Sequence, residues 1–68
     1  WKNKSYIPQT GDIIFFDWNG DGHVQHVGIV EKVENDKVYT IEGNSKDEVR
    51  NKNYSLTNKS IYGYGSVN

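Results

Sequence analysis

Gln25-His26-Val27-Gly28-Ile29-Val30-Glu31-Lys32-Val33, followed by Glu34-Asn35-Asp36 and then Lys37-Val38-Tyr39-Thr40-Ile41-Glu42-Gly43, is the stretch on which the fold turns. Two runs rich in β-branched and aromatic residues, parted by three turn-forming polar residues, predict an antiparallel hairpin. A three-residue loop sets Val33 opposite Lys37, Ile29 opposite Ile41, Val30 opposite Thr40, Gly28 opposite Glu42 and His26 opposite Asn44. A two-residue loop sets Ile29 against Glu42 and mixes apolar with charged groups, so the first register is preferred. That register projects His26, Glu42 and Asn44 from one sheet face, and Gly28 leaves room beside the imidazole.

Outward from the hairpin, Asp12-Ile13-Ile14-Phe15-Phe16-Asp17 reads as a strand. Its four consecutive apolar residues do not alternate, which predicts cover on both faces. Residues 1–11 read as an irregular lead-in, with Pro8 unsuited to a central strand and Gln9-Thr10-Gly11 as a turn. Asp17-Trp18-Asn19-Gly20-Asp21-Gly22 is a loop by its paired Asn-Gly and Asp-Gly steps. Val49–Leu56 is a polar strand near an edge, and Ile61–Val67 a closing strand. Residues 12–68 are thus antiparallel strands. The expected fold class is mostly β, a small curved antiparallel sheet or partial barrel.

Composition agrees. There is no Ala and one Leu, against six Ile, seven Val and five Tyr, a set that suits pleated surfaces rather than helix interiors. With 68 residues and 34% hydrophobic content, one core supplies only about 3–5 kcal/mol. The absence of Cys removes disulfides, thiolate metal sites and any cysteine nucleophile within these residues. A net charge of −1 offers no footprint for nucleic acid. No apolar run nears the ~18 residues of a membrane span.

A histidine sharing a β face with a carboxylate and an amide has the makings of a general base and its orienters. One ring nitrogen takes a proton while the other donates to Glu42 or Asn44. The same residues read equally well as ordinary polar neighbours on an exposed sheet face.

The motifs Gly11-Asp12-Ile13-Ile14-Phe15-Phe16-Asp17, His26-Val27-Gly28-Ile29-Val30 and Ile41-Glu42-Gly43-Asn44-Ser45, with the closing Ile61-Tyr62-Gly63-Tyr64-Gly65, closely resemble the CHAP family. These are cysteine, histidine-dependent amidohydrolases/peptidases of bacterial and phage cell-wall lysis, in the NlpC/P60 papain-like group. The resemblance implies the β subdomain of an α+β papain-like hydrolase fold. It implies His26 as general base, Glu42 as orienting carboxylate and Asn44 as a further polar residue of the site. The family's cysteine belongs to an upstream helix, so the expectation is a C-terminal β half without the nucleophile-bearing half, inactive alone. The implied partners are the peptidoglycan peptide stem and either the missing half or a second copy of the chain. The implied location is extracellular or the cell wall, and no cofactor is expected.

Trp18 is a candidate substrate wall beside His26, and His23 reads as solvent-exposed. Two other classes of function stay open. One is a non-catalytic wall-binding module using Trp18, Tyr62 and Tyr64 as an aromatic surface. The other is a calcium-stabilised module on Asp17, Asn19 and Asp21, whose spacing copies the front of a calcium loop but has Gly28 at the twelfth position, where a Glu is needed. The alternative for that loop is an Asx turn.

Overall fold

A computed structural model describes residues 2–3, 5–43 and 48–66. The strands are β1 (Lys2–Asn3), β2 (Ile13–Phe16), β3 (His26–Glu34), β4 (Lys37–Gly43), β5 (Val49–Ser55) and β6 (Ile61–Gly65). They form one antiparallel sheet in the order β1-β6-β2-β3-β4-β5, open rather than closed into a barrel, and no helix occurs among the described residues. The mostly β expectation holds. The lead-in is less irregular than expected, because Lys2 and Asn3 pair with Tyr64 and Gly63. Asp12 ties the lead-in to the start of β2: its carboxylate accepts from the Tyr6 hydroxyl at 2.8 Å and the Gln9 amide at 2.9 Å.

The hairpin keeps the expected pairs Ile29–Ile41 and Val30–Thr40 but not the expected loop. Glu34 faces Lys37 and Val33 faces Val38, so the turn has two residues, Asn35 and Asp36. Both have positive φ, 53° and 62°, the signature of a tight turn whose twist matches the strands. A bulge between Val30 and Lys32 absorbs the residue of difference. The Glu31 carbonyl at the bulge accepts the Thr10 hydroxyl at 2.8 Å. The bulge also lets Val30 and Val33, three apart, both serve the core, which strict alternation forbids.

β6 uses the same device. Its register against β2 shifts between Phe15 and Phe16, so Ile61 and Tyr64 both turn inward. They join Ile14, Phe16, Val30 and Val38 in the buried core. Only one face of β2 is fully covered: Ile14 and Phe16 are buried, whereas Ile13 and Phe15 are partly exposed. On that second face Val27 and Ile29 are 49% and 46% exposed. The expectation of cover on both faces therefore fails within this chain. The apolar run of β2 reflects an outer surface continuous with Val27 and Ile29, which pair with Phe15 and Ile13.

The two-residue turn generates a stability prediction. Asp36→Gly removes the left-handed penalty of a residue with a Cβ and should stabilise the fold by about 0.5–1 kcal/mol. That corresponds to a rise of roughly 4 °C or more in thermal melting midpoint for a domain of this size. Asp36→Val should lower the midpoint, because a branched Cβ fits positive φ worst.

Candidate active site

His26 begins β3 opposite Phe16, and Glu42 lies near the end of β4. With Ile29 paired to Ile41, the next position brings Gly28 across from Glu42. A Cβ added at Gly28 would lie 2.9 Å from Glu42 Cγ and 3.4 Å from both Ile14 Cγ2 and the Ile41 carbonyl. Glycine is what allows the Glu42 side chain to lie across β3 and reach the imidazole. His26 Nε2 donates to Glu42 Oε1 at 2.6 Å. The two residues that the hairpin register sets on one face are thus in direct contact.

Glu42 is only 3% exposed, so this is not a polar group on a wetted face. An ion withdrawn from water loses several kcal/mol of solvation unless donors replace it. Here three do. Thr40 Oγ1 donates to Glu42 Oε2 at 2.5 Å and Tyr54 Oη to the same oxygen at 2.7 Å, while His26 serves Oε1. Hydrogen bonds to charged groups contribute about 1.5–3 kcal/mol each, enough together to outweigh desolvation. Burial raises the Glu42 pKa, but the Thr40, Tyr54 and His26 donors more than offset it and hold the carboxyl below its ordinary value. An ionised carboxylate only accepts, so neutral His26 carries its proton on Nε2 and presents Nδ1 as a base.

Sequence reasoning misses Thr40 and Tyr54 as members of the site. Thr40 is legible in principle, since a residue two before Glu42 shares its face. Tyr54 is not, because its position depends on the β4–β5 register, in which it pairs with Val38.

Trp18 stands at this site. Its ring stacks on Phe16 at 4.7 Å and 9°, lies 6.1 Å from the His26 ring, and is 46% exposed. A groove of about 510 Å³, lined by Val24, Gln25, His26, Val27 and Gly43, opens beside the imidazole. Asn44 lies outside the described residues. His23 is exposed, its side chain at 83%.

The Asp17 loop is an Asx-type turn. Asp17 Oδ1 accepts from the Gly20 and Asp21 amides at 2.8 and 3.3 Å, and Oδ2 from the Gly22 amide at 2.7 Å. Gly20 and Gly22 adopt φ of 69° and 84°, which points their amides inward. Burial opposes ionisation of Asp17, and the Gly22, Asp21 and Gly20 amides outweigh it, lowering its pKa. The Asp17 carboxylate is occupied by its own backbone, and among the described residues no three acidic or histidine side chains gather as metal ligands. The aromatic-surface alternative loses a member, since Tyr64 is fully buried and cannot stand beside Trp18 and Tyr62 as a contact surface.

A buried carboxylate aligning a histidine at the mouth of a groove is an arrangement that a general base and its orienter in a nucleophilic hydrolase can use. Comparison with known families agrees with that class: the model described as "CHAP domain" matches residues 1–44. The chain belongs to the CHAP family. The match includes β1 to β4, with His26, Glu42 and Trp18, and β5 and β6 lie beyond it. Neither the curated proteins nor the solved structures contain a match. Family membership suggests a peptidoglycan-hydrolase-like function, and the occurrence of CHAP domains in cell-wall hydrolases is consistent with an extracellular location. No described helix is long and apolar enough to cross a membrane.

The close approach at Gly28 makes its replacement costly. Gly28→Ala should displace Glu42 and destabilise the fold by about 1–3 kcal/mol in urea unfolding, an overpacking cost. The pH dependence has a definite sign. Glu42 and Asp17 bind protons more weakly folded than unfolded, so their stabilisation is complete above the unfolded carboxyl range of about 4 and is lost as pH falls through the lower folded values. Urea midpoints should therefore drop steeply below about pH 4, and Glu42→Gln should flatten that drop.

Proposed function

We propose that this chain provides the histidine–carboxylate part of a cysteine-dependent site that hydrolyses amide bonds of the peptidoglycan peptide stem. The single observation that supports this reading is the 2.6 Å hydrogen bond between His26 Nε2 and the buried Glu42 carboxyl, which leaves Nδ1 free of that contact. His26 is the general base, Glu42 its orienting carboxylate, Asn44 a further polar group, and Trp18 a wall for the substrate. The 68 residues hold no cysteine, so the nucleophile comes from polypeptide outside them, whether a helical half or a partner.

In the proposed reaction, His26 Nδ1 takes the thiol proton and the thiolate attacks the amide carbonyl. The tetrahedral intermediate collapses as the imidazolium returns that proton to the leaving amine, and a thioester remains. A water molecule, deprotonated by the same nitrogen, then hydrolyses the thioester and regenerates the thiol. Glu42 stabilises the transient imidazolium through Nε2–H without taking its proton. The exposed apolar surface of Val27 and Ile29, with Ile13 and Phe15, is the face we assign to the cysteine-bearing partner, which would reach His26 round the strand end, where the groove touches both Val27 and His26.

Joined to a cysteine-bearing CHAP half, the chain should hydrolyse purified peptidoglycan, read as release of free amines. His26→Ala should lower the rate at least about a hundredfold, the lower bound for a lost general base. Undiminished hydrolysis with His26→Ala contradicts the assignment.

A further inference from the structure

We propose that Tyr54 and Thr40 are positioning residues that lock the Glu42 carboxylate, and through it fix which nitrogen of His26 carries the proton; the catalytic meaning of this role rests on the function proposed above. β5 is exposed at six of its seven positions, and the one residue withdrawn from solvent is Tyr54. Its hydroxyl ends on Glu42 Oε2, beside the hydroxyl of fully buried Thr40. Two donors on Oε2 prevent the carboxylate from rotating and leave Oε1 to His26. The Tyr54 ring packs 4.8 Å from Phe16 and 6.1 Å from Trp18, so one side chain braces both the carboxylate and the aromatic wall.

The chemistry of the donors matters. A hydroxyl can turn to accept, and a lock built on hydroxyls works only while they donate. Burial and the Glu42 charge push the Tyr54 hydroxyl well above its ordinary range, so it stays a donor across neutral pH. The packing of an edge strand would be served as well by phenylalanine. The lock would not.

The test reads the Nε2–H proton of His26 in 1H–15N spectra of the 68-residue chain, without substrate or thiol. Held against a fixed, buried carboxylate, this proton exchanges slowly with water. Tyr54→Phe and Thr40→Val should each speed that exchange about tenfold or more in a chain whose amide spectrum remains dispersed, and Thr40→Ser should restore it. Exchange unchanged in folded Tyr54→Phe overturns the proposal. A second measurement needs no variant: the Tyr54 ring carbon should titrate well above an ordinary tyrosine, and titration near the usual value of about 10 also overturns it. In a thiol-completed domain, Tyr54→Phe should lower kcat about tenfold with KM unchanged, whereas a raised KM with intact kcat would make Tyr54 a substrate contact instead. Absence of lysis by the completed domain sinks the proposed function and leaves the exchange result standing.

Discussion

The structure around the site depends on keeping one buried carboxylate charged. Glu42 is nearly sealed from water, and an isolated ion there would protonate rather than stay ionised. It is held by a histidine from β3, a threonine from its own strand and a tyrosine from β5. Those three donors tie together three adjacent strands at the end of the sheet where the groove opens. Gly28 permits the arrangement by lacking the atom that would collide with Glu42. Removing any one donor affects a folded carboxylate and the geometry of the histidine together, because the same bonds serve both.

A thin core must be used fully, and two bulges achieve this. Without them, Val33 and either Ile61 or Tyr64 would point away from the core, and a chain of this size has few apolar side chains to lose. The β3–β4 bulge has a second consequence. It lies between the turn and the site, so the turn can take the two-residue form without rotating His26 and Glu42 off their shared face. The opposite face, with Val27 and Ile29 half-exposed, gains nothing from the core and is the natural place for a covering element.

Much of this is legible in the residues. Alternation within Gln25–Val33 and Lys37–Gly43 is enough to pair Ile29 with Ile41 and so to bring His26 and Glu42 together. The loop between them is misread as three residues, since a bulge leaves no clear mark in the pattern and imitates a longer turn. The pairing of Lys2–Asn3 with β6 escapes notice because two exposed polar residues carry no strand signal. Tyr54 escapes because a polar edge strand gives no apolar pattern from which to set its register. The burial of Tyr64 is hidden by the β6 bulge, without which it reads as a surface aromatic.

The central claim is that Glu42 remains ionised despite its burial, because its donors outweigh desolvation. A 13C titration of the Glu42 side-chain carboxyl in the intact chain tests this directly. The account predicts a midpoint below that of an ordinary glutamate, about 4.3, with the carboxylate charged at neutral pH. A midpoint above that value would mean that burial dominates and that a neutral carboxyl faces the imidazole, contradicting the account.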